Sequence, residues 1–195
     1  MKLTDKKIIL ASGSPRRLEL LREEGIEPEV IKPDCEEELL TELTPWQTVM
    51  ALSLKKGENV AEKLAGEPGY EDGLLIASDT IVYLERVIGK PADIEDARAI
   101  LRFLSGRPHT VYSGAYIKDL ASGKQILLYD ATKVFFRPLS ASEIDEYVRD
   151  GKTLDKAGSY AIQGDFARHI DHIEGNLDNV IGFPLVKIKE TLKYL

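Results

Sequence analysis

The sequence is poor in cysteine and has no long apolar run. Its one cysteine, Cys35, excludes an internal disulfide and a metal site built from several thiolates. A run of about 20 apolar residues, which a membrane span requires, is absent, and the polar start MKLTDKK does not resemble a secretion signal. These absences predict a soluble, cytoplasmic protein with no membrane partner.

An excess of positive charge is also missing. Lys and Arg number 26 against 33 Asp and Glu, which gives a net charge of -7. Proteins that bind nucleic acids usually present a basic face, so the sequence predicts no nucleic-acid partner. Any site for an anion has to be local, because the overall field of an acidic protein repels anions.

Strand-like and helix-like segments alternate along the chain, whose 195 residues suit one domain of ordinary size or two small lobes that share a cleft. Apolar runs predict strands at 8–11, 28–32 and 74–84, and a pair joined by a turn over about 109–137. Capping residues predict helices after Ser14, Thr44, Asp93 and Ser140, and a last helix from about Pro184 to Leu195. The alternation predicts an α/β fold with a mixed sheet and flanking helices over residues 1–195.

The segment SGSPRR joins the first predicted strand to the first predicted helix. Ser14 caps that helix, and Pro15 takes its first position. Arg16 and Arg17 in the first turn would oppose the helix dipole, unless a phosphate sits at the turn and both guanidinium groups reach it. The alternative is an ordinary capped helix whose arginines are solvated.

Polar residues interrupt the long apolar run of the third predicted strand at Asp79 and Thr80. A carboxylate in a buried strand is unfavourable unless it is paired, hydrogen-bonded or bound to a metal, so Asp79 is a candidate functional residue. The alternative is a position at a sheet edge or bulge that faces water.

Lys56 and Glu37 follow the second predicted strand and are further candidate site residues. Lys55 falls on the polar face of its helix, whereas Lys56 lies at the edge of the apolar stripe and would point towards a cleft. The alternative for Lys56 is a buried stem with a solvated ammonium group. Glu37 lies in the acidic run EEE, which could hold a divalent cation or simply be solvated.

The histidines and the cysteine carry weaker signals. His169 and His172 could share a helical face, but no third metal ligand accompanies them. Surface positions are therefore predicted for these two histidines and for His109. Cys35 has no obvious base partner, which favours a buried or inert thiol.

Several motifs together resemble the Maf family of nucleoside triphosphate pyrophosphatases. They are ASGSPRRLELL, ASDTIV, GKP followed by LRFLSG and HTV, DKAGSYAIQG and NVIGFPL, in order between about residues 8 and 187. The resemblance implies a mixed α/β fold of two lobes around a long cleft, similar to the inosine triphosphate pyrophosphatases. It also implies hydrolysis of nucleoside triphosphates between the α and β phosphates, with a divalent metal.

The roles that the resemblance implies can be placed on this chain by motif. Asp79 matches the proton acceptor, and Arg16, Thr80 and Gln163 match positions linked to base selectivity. The other polar positions of the implied site are Ser14, Arg17, Glu37, Lys56, Lys90 and Lys156. Glu37 and Asp79 are the expected ligands of the metal, which would be Mg²⁺, Mn²⁺ or Co²⁺.

The motifs also indicate a branch of the family. SPRR, SDT and IQG resemble the branch that acts on dTTP and UTP, whereas the 7-methyl-GTP branch looks like SPWR, DQ and SEG. Three features depart from the dTTP/UTP pattern: Ser78 and Gly57 stand where alanine is usual, and GDFARHIDHIEGN replaces a segment rich in glycine and alanine. The alternatives are a nucleotide-binding regulator of septum formation, and a pyrophosphatase for 7-methyl-GTP or ITP. A homodimer is a plausible assembly.

Overall fold

The described strands form one mixed sheet in the computed structural model, which describes residues 2–35, 42–151 and 153–195. They are β1 (Lys7–Ala11), β2 (Glu29–Val30), β3 (Gly73–Leu84), β4 (Arg86–Ile88), β5 (Pro108–Asp119), β6 (Gln125–Phe136) and β7 (Ile170–Glu174). The sheet order is β2-β1-β3-β5-β6-β7, with β4 paired to β3. β1 runs parallel to β2 and β3, while the other pairs are antiparallel. The predicted mixed sheet is confirmed.

Helices flank the sheet, and most of them begin at the predicted caps. They are α1 (Pro15–Glu23), α2 (Pro45–Leu64), α3 (Ile94–Leu104), α4 (Ala141–Val148), α5 (Leu177–Ile181) and α6 (Leu185–Thr191). The Asp93 side chain accepts a hydrogen bond from the Asp96 amide at 2.8 Å, which satisfies a donor of the first turn of α3. Within the described residues, no helix is long and apolar enough to cross a bilayer.

The predicted elements differ from the structure mainly near the C-terminus. The last helix ends at Thr191, and a 3-10 turn follows it over Leu192–Tyr194. Strand β7 and helix α5 were not predicted, because five or fewer residues with mixed polarity give no clear period. The prediction that His169 and His172 share a helical face is wrong, because His172 lies in β7 and His169 ends a 3-10 helix.

The long strands β3, β5 and β6 carry hydrophobic clusters at both ends, two at one end and one at the other. At one end, α1 and α6 pack on one face of the sheet and α2 packs on the other. At the other end, α3, α4 and the aromatic side chains of Tyr160 and Phe166 cover the strands. Polar residues of β3 and β5 lie between the clusters, so two lobes share the sheet and meet at a cleft.

Candidate active site

Strand β3 changes its neighbour halfway along its length, and this leaves part of one edge open. β1 pairs with β3 over residues 73–77, and β4 pairs with it over residues 82–84. Between them, residues 78–81 pair with β5 on one side, and no described strand pairs with them on the other. Ligands commonly bind where the neighbours of a strand diverge in this way. A cleft of about 670 Å³ opens at this edge.

Nine of the ten predicted site residues line that cleft. They are Ser14, Arg16, Arg17, Lys56, Asp79, Thr80, Lys90, Lys156 and Gln163. The tenth, Glu37, lies outside the described residues. The volume falls within the range of about 300–1,000 Å³ that is usual for pockets that take a small-molecule ligand.

The turn between β1 and α1 forms one wall of the cleft. The buried hydroxyl of Ser12 accepts hydrogen bonds from the Ser14 amide at 3.1 Å and from Arg17 Nη1 at 3.0 Å. These bonds hold the N-terminus of α1 at the cleft, where its amides and dipole favour an anion.

Arg17 is buried, so the alternative of a solvated arginine is wrong for this residue. Its Nε donates to the carbonyl oxygen of Gly182 at 2.8 Å, and its Nη2 donates to Thr80 Oγ1 at 3.3 Å. Arg17 therefore joins α1 to β3 and to the segment between α5 and α6, and it brings a permanent positive charge to the cleft.

Asp79 and Lys56 form a buried ion pair in the centre of the cleft. The distance between Asp79 Oδ1 and Lys56 Nζ is 2.5 Å, and the two side chains are 7% and 9% exposed. The alternatives of a water-facing Asp79 and a solvated Lys56 ammonium group are therefore wrong. Burial of a single ion of this kind would be strongly unfavourable, so each charge makes the other tolerable.

Two close contacts between α2 and β5 bring Lys56 to Asp79. A Cβ atom on Gly57 would overlap the ring of Tyr116, and one on Gly114 would overlap the backbone of Val49. Gly114 is also the residue of β5 that pairs with Asp79. The absence of side chains at these two positions lets α2 lie directly on the sheet, which gives Gly57 a structural role in place of the expected alanine.

Thr80 belongs to a polar network that the sequence did not reveal in full. Its hydroxyl lies 2.9 Å from Ser113 Oγ and 3.1 Å from the carbonyl oxygen of Gly182, besides the bond from Arg17. Ser113 Oγ donates to the Asn179 carbonyl at 2.8 Å. The motif NVIGFPL, which contains Asn179 and Gly182, was the available signal, but a motif alone does not say which groups its residues bind.

Ser78, which departs from the expected alanine, is buried next to this network. Its hydroxyl donates to the carbonyl oxygen of Gly114 at 2.7 Å. Ser78 does not line the cleft among the described residues. The additional hydroxyl group of Ser78 is thus hydrogen-bonded within the sheet.

The opposite wall of the cleft is the segment from Asp155 to Gln163. Gly158 and Ser159 both have positive φ angles, of 72° and 62°, which wind the chain into a tight turn. The Gly158 amide donates to the carbonyl oxygen of Gly89 at 3.0 Å. The turn therefore holds the wall that carries Lys156 and Gln163 beside the loop that carries Lys90.

Asp155 stands at the mouth of the cleft between two cations. Its Oδ2 lies 3.1 Å from Arg16 Nη1, and its Oδ1 lies 2.5 Å from Lys156 Nζ. Partial burial would raise the pKa of Asp155, but the contacts with Lys156 and Arg16 outweigh that effect and the pKa is lowered. The carboxyl group is therefore ionised at neutral pH.

The donor groups of the cleft suit a hard cation that is shared with a ligand. The described carboxylates that line it are Asp79 and Asp155. Mg²⁺ is commonly held by one or two carboxylates together with substrate phosphates, and carboxylate oxygens are its preferred protein ligands. No group of three His, Cys, Asp or Glu side chains within the described residues is arranged to hold a metal by itself.

Two of the three histidines are buried, so the predicted surface positions are wrong for His109 and His169. His109 Nε2 lies 2.7 Å from the hydroxyl oxygen of Tyr160, which lines the cleft. Burial lowers the pKa of His109 to about 4, so its ring is neutral at pH 7. Cys35 is partly exposed, so the buried alternative is wrong for this residue, and an inert thiol stays a prediction.

The chain is also similar to known proteins over nearly its full length. The family model described as Maf-like protein matches residues 7–195. A dTTP/UTP pyrophosphatase of Pelotomaculum thermopropionicum is 42% identical over 96% of this chain and 96% of its own. A dTTP/UTP pyrophosphatase of Alkaliphilus oremlandii is 39% identical over 96% of this chain and 95% of its own. The solved Ham1 protein of Staphylococcus aureus aligns over 67% of this chain and 72% of its own, with a TM-score of 0.45 and 14% identity.

Proposed function

Because this chain belongs to the family of Maf-like proteins, we propose that it is a nucleoside triphosphate pyrophosphatase that acts on dTTP, UTP and related pyrimidine triphosphates. The reaction is hydrolysis between the α and β phosphates, which yields the monophosphate and pyrophosphate. The observation that carries the proposal is the buried Asp79–Lys56 pair, which shares one cleft with the N-terminus of α1. The Asp79 carboxylate, which would accept a proton from the attacking water, thus lines the same cleft as the N-terminus of α1, which would bind a phosphate.

The positive groups of the cleft suit a triphosphate. Arg17, Lys90 and Lys156 line it together with the first turn of α1, inside a protein whose net charge is -7. Hydrolysis of a phosphoanhydride spreads negative charge over the transferred group and the leaving oxygen, so catalysis depends on positioned positive charge. In this proposal the cations bind the phosphates in the ground state and stabilise the added charge in the transition state.

Asp79 is the proposed proton acceptor for the attacking water. The Lys56 ammonium group holds Asp79 Oδ1 at 2.5 Å, which fixes the orientation of the carboxylate. The close packing of α2 on β5 makes this orientation rigid, and a rigid carboxylate requires little reorganisation when the water loses its proton.

A divalent cation is part of the proposal. Asp79 and Glu37 are its proposed ligands, and a bound Mg²⁺, Mn²⁺ or Co²⁺ would neutralise charge on the phosphates. We expect hydrolysis to stop when EDTA removes the metal and to return when excess Mg²⁺ is added. Calorimetry of Mg²⁺ binding in the presence of dTTP should give a weaker affinity for Glu37→Gln. Full activity in EDTA would contradict the proposal.

Base recognition is assigned to Arg16, Thr80 and Gln163. The Gln163 amide offers both a donor and an acceptor, which suits the carbonyl and N–H groups of uracil and thymine. A pocket that hydrogen-bonds one base rejects another chiefly because buried polar groups are left unpaired. The Thr80 hydroxyl is already bound to Arg17 and Ser113, so its contribution includes holding that network in place.

The test is a substrate panel with kcat/KM measured for dTTP, UTP, CTP, 5-methyl-UTP, pseudo-UTP, ITP and 7-methyl-GTP. We expect the highest values for dTTP and UTP, by at least about 100-fold over ITP and 7-methyl-GTP. A highest value for either purine nucleotide would contradict the proposed base preference. Tight binding of dTTP without any turnover in the presence of metal would instead favour a nucleotide-binding regulator.

A further inference from the structure

One carboxylate in the cleft, Asp155, contacts two cations that come from opposite walls. Arg16 belongs to the first turn of α1, and Lys156 belongs to the segment that carries Gln163. Each oxygen of Asp155 has its own cation, Oδ2 at 3.1 Å from Arg16 Nη1 and Oδ1 at 2.5 Å from Lys156 Nζ. The two cations are thereby held at a spacing that the carboxylate sets.

The stability of the fold does not explain this arrangement. The Asp155 side chain is 58% exposed, and an ion pair with so exposed a partner contributes little to folding because water and salt compete with it. Attraction of a negatively charged substrate does not explain the contact of Asp155 with the two cations either. A negative charge at the mouth of the cleft repels a triphosphate and cancels part of the positive charge of Arg16 and Lys156.

The backbone around Asp155 is well anchored, so the carboxylate can act as a fixed point. The Lys156 amide donates to the Thr153 carbonyl at 3.1 Å, and the Ser159 amide donates to the Lys156 carbonyl at 3.1 Å. The long Arg16 side chain, by contrast, has many rotamers, and its guanidinium group must be ordered before it can bind a ligand. Contact with a fixed carboxylate removes that cost before the substrate arrives.

We propose that Asp155 is a positioning residue for the pyrophosphatase reaction, which orients Arg16 and Lys156 across the cleft before the nucleotide binds. The inference rests on the proposed function and adds a residue to which that function assigns no role. Asp155 acts through the two cations and does not itself touch the reacting atoms. Because Arg16 is also a base-recognition residue, loss of Asp155 weakens binding of pyrimidine triphosphates in particular.

Positioning and simple electrostatics predict opposite results when the charge of Asp155 is removed. If the carboxylate only repelled the substrate, Asp155→Asn would lower KM for dTTP. If it orders the two cations, the same substitution raises KM although the cleft becomes more positive. We expect KM for dTTP to rise about tenfold, the scale of one or two side chains that must be immobilised on binding, with kcat changed by less than about threefold.

The experiment measures kcat and KM for dTTP and 7-methyl-GTP in the wild type, Asp155→Asn, Asp155→Glu and a matched control, Asp145→Asn. Asp145 pairs with Arg98 at 2.7 Å, its side chain is 52% exposed, and it does not line the cleft. Asp155→Glu keeps the charge but moves it by one methylene group, so positioning predicts a raised KM there too. Melting temperatures should lie within about 3 °C of the wild type for all three variants.

A double-mutant cycle with Arg16→Ala completes the test. The effect of Asp155→Asn on KM should shrink to about threefold or less in the Arg16→Ala background, because the carboxylate acts through that guanidinium group. An unchanged or lowered KM in Asp155→Asn, or a full tenfold effect in both backgrounds, would overturn the proposal. An inactive wild type and Asp145→Asn would instead refute the proposed function.

Discussion

Asp79 and His109 are both buried titratable groups on neighbouring strands of the sheet, with 5% and 2% of their surface exposed. Asp79 has a charged partner, Lys56, and both line the cleft. His109 has a neutral partner, the Tyr160 hydroxyl, and packs edge-on against Phe136 at 4.7 Å between ring centroids. Burial alone therefore does not mark a catalytic group. Asp79 differs because an opposite charge stabilises its carboxylate within the cleft, and this is why we propose it as the catalytic group.

The two environments differ in whether they provide a counter-charge. Around His109 the aromatic rings offer no counter-charge, so burial lowers its pKa to about 4 and the ring is neutral at pH 7. Around Asp79 the Lys56 ammonium group compensates a carboxylate. His109 therefore supports the wall of the cleft through Tyr160, whereas Asp79 is the proposed proton acceptor.

The largest effect is expected for Asp79→Asn. Loss of the proposed general base should lower kcat for dTTP by about 10²–10⁴, while the affinity for dTTP is retained. The matched control is Asp119→Asn, which changes a buried carboxylate that pairs with Lys6 at 2.9 Å outside the cleft. That control should lower stability and leave kcat near the wild-type value. Equal kcat values for Asp79→Asn and Asp119→Asn would contradict the proposal that Asp79, unlike Asp119, is catalytic.

The second-largest effect is expected when Lys56, the partner of Asp79, is replaced. Lys56→Met leaves the carboxylate buried without its counter-charge, which should lower the free energy of unfolding by about 3 kcal/mol and reduce kcat/KM for dTTP by about 10–100-fold. Lys55→Met, at the exposed neighbouring position, is the control and should change neither quantity appreciably. Urea unfolding and steady-state kinetics provide both readouts. A Lys56→Met protein as stable as the control would mean that Lys56 does not stabilise the buried Asp79 carboxylate.

Gly57→Ala tests the packing that brings the pair together. In an open helix this substitution stabilises by about 1 kcal/mol, but here the added methyl group would overlap the Tyr116 ring. We expect a loss of about 2–3 kcal/mol, together with lower turnover because α2 is pushed away from Asp79. Tyr116→Val combined with Gly57→Ala should recover part of the stability. A stabilised Gly57→Ala protein would show that α2 does not need this close contact.

The smallest effect concerns the pH dependence of stability at His109. The pKa is about 6.5 in an unfolded chain and about 4 in the folded protein, so the unfolded state binds more protons between these values. The His109 contribution is thus fully present above pH 6.5, and it should decrease by about 2 kcal/mol between pH 7.5 and pH 5. Urea titrations at both pH values should give a smaller decrease for His109→Gln than for the wild type. His172→Gln, at an exposed ring, is the control, and an equal decrease in all three proteins would contradict the prediction.

Much of the fold follows from local signals in the sequence. The caps at Thr44, Asp93 and Ser140 and the apolar runs of β1 and β3 lie where the structure has them, because these signals depend on neighbouring residues. Strand β7 was not predicted, since its register depends on pairing with β6 rather than on its own pattern.

The site was only partly predictable for a similar reason. Motifs identified the residues that line the cleft, but the contact between Lys56 and Asp79, 23 residues apart, depends on how closely α2 approaches β5. The placement of His109 failed because a neutral histidine in an aromatic cluster leaves no mark in the sequence. Asp155 stood beside a predicted residue, yet its position between two cations appears only when both walls of the cleft are in place.

The most direct test is ³¹P NMR of dTTP hydrolysis by the wild type and by Asp79→Asn at equal concentration with Mg²⁺. We predict that the wild type forms dTMP and pyrophosphate in equal amounts with no orthophosphate, and that Asp79→Asn forms the same products at least about 100-fold more slowly. Formation of dTDP and orthophosphate by the wild type, or equal rates for the two proteins, would contradict the assignment of α–β cleavage to this cleft.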